Sequence, residues 1–200
     1  MGRNLNLCME QVKAEIRDIL RPIENVSVTE AKDIIGRYTA AVEGNFVPWM
    51  AAALIYARSS QGEYAAKENL GVEIRDNHQG MLRDFARCAD AEPSLEHYQA
   101  VEVVVSYMRV LIREGNGLEA LTVMAVLENT STVFIPHLAE LAEKRGSVNF
   151  HYTNIHGEAD LKRAHQFILA VEHEMKLDND PHYRVDRAVS TTVSYLKQIF

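Results

Sequence analysis

Two hundred residues carrying only five prolines and ten glycines offer too few turns for an all-β chain, which needs one roughly every 8–12 residues. Between these sparse breaks, apolar residues recur at steps of three and four. Val101, Val104, Val105, Met108 and Leu111 make one such stripe, and Leu121, Met124, Ala125, Leu127 and Val133 approach another. That spacing puts apolar side chains on one face of a helix, not a strand. The breaks divide the chain into eight helices over 7–20, 28–42, 46–58, 62–88, 94–114, 117–145, 149–176 and 182–198. The expected architecture is all-α, a single-domain bundle of seven to eight helices occupying 1–200.

Several boundaries carry their own chemistry. Ser27 and Thr29 with Glu30 signal a helix start, and Asp90-Ala91-Glu92-Pro93-Ser94 ends one helix and caps the next. Gly115-Asn116-Gly117 and Arg145-Gly146-Ser147 are tight connections, and Leu177-Asp178-Asn179-Asp180-Pro181 stops the seventh helix. No repeat, linker or low-complexity segment intervenes.

A net charge of −7 leaves no basic stripe to neutralise phosphates, so nucleic acid is not an expected partner. Cys8 and Cys88 are too far apart for a Cys-x-x-Cys motif and form neither a disulfide framework nor a zinc knuckle. No signal peptide is recognised and no apolar run nears eighteen residues, so a cytoplasmic protein without a membrane partner is expected.

Five residues in three of the helices have the chemistry of metal ligands: Glu73, His78, Glu128, His156 and Asp160. Glu73 and His78 stand five apart, about 140° around a regular helix. They share a target only if 62–88 is irregular, which Gly71 and Gly80 permit; otherwise they are solvated residues, with Glu68 as the alternative carboxylate. Glu128 ends the run Leu121-Thr-Val-Met-Ala-Val-Leu127, where a charge is costly without a partner. His156 and Asp160, four apart, share a face and make either half a metal site or an ion pair. His165 lies about 180° from His156 and joins the site only through a helix irregularity.

Asn69-Leu70-x-x-Glu73, His78-x-x-x-Leu82, Glu128…Pro136 and His156-x-x-x-Asp160, preceded by Phe46-Val47-Pro48-Trp49-Met50-Ala51-Ala52, resemble the heme-oxygenase-like diiron oxidases and oxygenases. The resemblance spans roughly residues 40–176. It implies a helical bundle, heme-oxygenase-like, with one or two iron ions in its core and dioxygen as co-substrate. Glu73, His78, Glu128, His156 and Asp160 would then be the ligands, carried on helices 62–88, 117–145 and 149–176. The pattern's last histidine falls on Arg163, whose guanidinium stays protonated and cannot ligate iron. Either His165 replaces it, or the site holds one iron, or metal binding is lost and Arg163 holds an anionic substrate.

The expected activity is an iron-dependent, dioxygen-activating oxidoreductase. Its substrate would be a small amine, amino-acid or fatty-acid-like molecule in a core pocket. Two alternatives stand beside it: a metal-free enzyme of the same fold, like the thiaminase-II-like or pyrroloquinoline-quinone-synthase-like proteins, and a non-catalytic helical interaction protein. Tyr56, Tyr64, Tyr107 and Tyr152 are either oxidisable side chains near the site or ordinary core and interface aromatics. The stripe Val185, Ala188, Val189, Val193 and Leu196 either closes the bundle or forms a homodimer face.

Overall fold

The computed structural model describes residues 4–200, except for the side chains of residues 157–159. Its described residues form ten α-helices: α1 Leu5–Ile19, α2 Val28–Val42, α3 Phe46–Tyr56, α4 Ser60–Arg75, α5 His78–Cys88, α6 Leu95–Glu114, α7 Gly117–Lys144, α8 His151–Ile155, α9 Gly157–Met175 and α10 Pro181–Ile199. A short 3-10 turn covers Ile23–Asn25, and no strand occurs among the described residues. The all-α expectation holds. Two expected helices are each broken in two: 62–88 at Asp76–Asn77 and 149–176 at His156.

Helix starts follow side-chain capping. Ser27 accepts from the Glu30 amide while Glu30 reaches back to the Ser27 amide, and Asn116 and Glu119 do the same at α7. Together the backbone of Ser27 and the Arg21 guanidinium hold the Glu30 carboxyl down to about 2. At the far end of α7, Gly146 adopts φ +82°, and the Ser147 amide bonds back to the Ala142 carbonyl. This is the left-handed stop that glycine permits. Gly117 meets a different limit, because a Cβ there would stand 2.2 Å from the Tyr56 carbonyl oxygen. Only glycine lets α7 begin against the end of α3.

α7 is the axis of the bundle and packs against α1, α2, α3, α9 and α10. An 18-residue window in it reaches a mean hydropathy of 1.3, so the expectation that no such run exists is corrected. Of that window, 89% is buried against other helices. A helix surrounded by helices is apolar on every side for that reason.

Below the start of α7, buried carboxylates join four chain segments. Glu174 on α9 accepts from the Arg58 and Ser59 amides at 2.7 and 2.6 Å, at the entry to α4. Glu119 receives the Asn116 amide and the guanidinium groups of Arg184 and Arg187. Every one of these carboxylates is partnered, as buried charges must be. Glu174→Ala is expected to lower stability by about 3 kcal/mol, since it strands the Arg58 and Ser59 amides in a buried place. Glu10→Ala on the surface of α1 should change it by less than about 0.5 kcal/mol. Urea unfolding midpoints measure both.

Candidate functional site

The two helix breaks and the middle of α7 meet at one place. Asn77 takes the left-handed conformation, φ 54°, which asparagine tolerates better than most residues. Its side-chain oxygen then accepts from the Gly80 amide and starts α5 at His78. The sharp turn cancels the 140° offset of a regular helix. It brings His78 Nδ1 to 2.7 Å from Glu73 Oε1. This contact is close but misaligned for a hydrogen bond, so the nitrogen has no partner. Two ligands at right angles on one ion, with bonds of roughly 2.1 Å, would stand about 3 Å apart.

His156 is the joint between α8 and α9. Its Nδ1 lies 3.1 Å from Asp160 Oδ1, and its Nε2 is buried without a partner. Asp160, fully buried, also receives the Ser131 hydroxyl at 2.6 Å. That hydroxyl lies 2.7 Å from the Glu128 carbonyl too, but its single proton favours the charged acceptor. Arg163, one turn further along α9 and 7% exposed, donates from Nη1 to Glu73 Oε1 at 3.2 Å and lies 3.7 Å from Asp160 Oδ1. The His78 and His156 rings are 5.2 Å apart, and the Tyr152 ring is 4.7 Å from that of His156.

Glu128 projects from α7 into the same space, with Oε1 unpartnered. Burial raises its carboxyl well above the ordinary 4.5; the Asp160 and Glu73 charges push the same way, against Arg163. Burial therefore favours the neutral form of Glu128. The five expected ligand residues and Arg163 are thus gathered together. Glu68 and His165 are not, because both are exposed.

A cavity of about 50 Å³ adjoins these groups, walled by Val42, Phe46, Leu82, Leu127, Phe134 and Tyr195. Half-exposed Glu43, Val47 and Gln79 mark its open side. Tyr152 lines it and shares a 2.7 Å hydroxyl contact with Tyr38. Burial, first of all, keeps both phenols protonated. Tyr56, Tyr64 and Tyr107 are exposed, so of the four tyrosines considered only Tyr152 reaches the site. Cys8 is buried in α1 and Cys88 is exposed on α5; neither lines the cavity.

Reading the sequence missed Ser131, Tyr38 and Tyr195. Ser131 follows Glu128 by three residues and so shares its helix face, a signal that was present. Tyr38 and Tyr195 carry no comparable pattern.

As placed, no group of three or more His, Cys, Asp or Glu side chains among the described residues is closed around a point as a metal cage. The reason is visible in the contacts: Asp160 and Glu73 are engaged by His156, Ser131 and Arg163. What remains without a hydrogen bond at the cavity is two imidazole nitrogens, one carboxyl oxygen and the Tyr195 hydroxyl.

A carboxyl held above its unfolded value contributes stability that is complete below about 4.5 and is lost as pH rises through the folded value. The metal-free protein is therefore expected to melt at progressively lower temperature as pH rises above about 5. Glu128→Gln, which keeps the shape and removes the charge, should flatten that slope in thermal melts.

No protein-family model matches the chain, and no curated protein matches it. Among solved structures, it is similar to a TenA homolog from Pseudomonas syringae pv. tomato str. DC3000. The likeness covers 98% of this chain and 91% of that one, with 14% identity and a TM-score of 0.62. At that identity the comparison carries fold and not diiron chemistry. The chain has a TenA-like, all-helical fold.

Proposed function

We propose that this protein is an iron-dependent oxidase or oxygenase that uses dioxygen on a small amine, amino-acid or fatty-acid-like substrate. One observation carries the reading: the buried atoms left without partners at the cavity include His78 Nδ1, His156 Nε2 and Glu128 Oε1. Two imidazoles and one carboxylate are the donor set of non-heme Fe(II) oxygenases. Unpartnered polar atoms in a core are costly, and a bound cation would offset part of that cost.

The neighbouring groups suit that role. Asp160 holds His156 through Nδ1 and so leaves Nε2 as the donor, the outer arrangement common to metal-bound histidines. Ser131 fixes Asp160 in turn. Glu73 is the carboxylate nearest His78, and an ion there would compete with Arg163 for it. Glu128 would release its proton on binding a metal. Iron bound there would supply open positions for dioxygen and relay electrons that the substrate or an external reductant provides. The apolar walls exclude water and receive the substrate's hydrocarbon part, and Tyr152 keeps a proton on its hydroxyl beside His156.

A metal-free reaction in the same pocket is the second reading, favoured by Arg163, which already neutralises part of the acid cluster.

Metal-free protein reconstituted anaerobically with Fe(II) should retain iron through gel filtration. With ascorbate and a panel of small amines, amino acids and fatty acids, it should then consume dioxygen. His156→Ala should abolish iron retention, and Asp160→Asn should weaken iron affinity roughly 10–100-fold. His165→Ala, on the exposed side of α9, should change neither. Substrate turnover that is equal with and without iron would establish the second reading instead.

A further inference from the structure

We propose that the cavity of the metal-free protein binds a short primary alkylamine as its ammonium ion, with the head on Glu128 Oε1 and His156 Nε2 and the carbon chain along the apolar walls. This names a substrate for the metal-free reaction given above as the second reading, and rests on that reading for the chemistry but not for the binding. Both atoms are buried without a hydrogen-bond partner, and both residues line the cavity. A short chain of bonds keeps them together. Ser131, three residues after Glu128 on α7, donates to Asp160, and Asp160 accepts from His156 Nδ1. That second bond places the imidazole proton on Nδ1 and leaves Nε2 as an acceptor. Unpaired acceptors in a core are costly, and an ammonium head brings three N–H donors to them.

The scale of the site suits such a head. Donors on one metal ion stand about 3 Å apart, and among the described residues no three His, Cys, Asp or Glu side chains close around a point in that way. An ammonium nitrogen needs no such closure, because acceptors at about 2.9 Å from it stand about 4.7 Å from one another.

Charge selects the amine over the other substrate classes. Glu43, Glu73 and Glu128 line the cavity, and no lysine or arginine does. Arg163 is committed to Glu73 and Asp160, and Glu43 at the open side is paired with Arg83. A carboxylate head would be buried beside carboxyl groups with no cation to receive it, so fatty acids and amino acids are refused. The apolar walls, Val42, Phe46, Leu127 and Phe134 among them, take the hydrocarbon chain. The cavity of about 50 Å³ has room for about four water-sized groups, which matches a chain of about four carbons.

The test compares four ligands that share a butyl or butanoyl chain. Metal-free full-length protein, dialysed against EDTA, is titrated calorimetrically at neutral pH with n-butylamine, 1-butanol, sodium butyrate and butyltrimethylammonium chloride. Butylamine should bind at one molecule per chain and roughly 10–100-fold more tightly than butanol. Butyrate, and the trimethylammonium ion that offers no N–H, should show no saturable binding. Glu128→Gln should weaken butylamine by the same roughly 10–100-fold and leave butanol unchanged. His165→Ala, on the exposed side of α9, should change neither.

Butyrate or butyltrimethylammonium bound as tightly as butylamine would overturn the proposal. So would butylamine no tighter than butanol, or an unchanged affinity in a folded Glu128→Gln. If Glu128→Gln does not fold, the four-ligand comparison on wild type still decides. Saturable butylamine binding without turnover, with iron or without it, would support the ligand assigned here and overturn both enzymatic readings. Iron-independent turnover of another substrate, with no butylamine bound, would overturn this proposal and leave the metal-free reading standing.

Discussion

Carboxyl groups cannot ionise alone inside a helical bundle, and this protein places three of them together beside its central helix. Taking each out of water is expensive unless an opposite charge or a set of hydrogen bonds compensates. Arg163 answers for Glu73 and Asp160 across the interface of α4 and α9. Ser131 and His156 complete the partners of Asp160. Glu128 is left over, and its raised carboxyl is the direct result. The packing of α4, α7 and α9 and the chemistry of the cavity are thus one problem, solved by a single guanidinium and one retained proton.

The molecule contains a second buried acidic centre, and comparing the two separates support from function. Around Glu119 and Glu174, each carboxylate is met by amides and guanidinium groups, and it joins the α3–α4 and α6–α7 connections to α9 and α10. None of these residues lines the cavity beside His78 and His156. At the other centre, imidazole and carboxylate atoms are buried but unpaired, and a cavity opens beside them. Around Glu119 and Glu174 every carboxylate has partners, with only the Arg184 Nε left without a hydrogen bond; beside the cavity a carboxyl oxygen itself is left over.

Both helix interruptions serve the site. A straight helix through 62–88 would turn His78 away from Glu73, and the left-handed Asn77 turns it back. The break at His156 sets the imidazole at a helix joint, still one turn from Asp160. Local departures from regular geometry persist where surrounding structure holds them and where they position functional groups.

The sequence by itself determined the helical class, because periodic apolar spacing and sparse turn residues act locally, through side chains within a few positions of one another. It also made most of the helix ends legible, since Ser27 with Glu30 and the glycine pair flanking Asn116 act through their own backbone. His156, Asp160 and Glu128 could be singled out as residues, and Arg163 as the anomaly among them, from spacing and from an acidic group in an apolar run. Only the tertiary structure decided that Arg163 joins Glu73 and Asp160, that Glu68 and His165 face solvent, and that Tyr38 and Tyr195 line the cavity. Those outcomes depend on which helix faces meet, and on two backbone breaks whose direction the periodic pattern does not carry. Contacts between residues ninety or more positions apart, such as Arg163 with Glu73, exist only once the packing has chosen them.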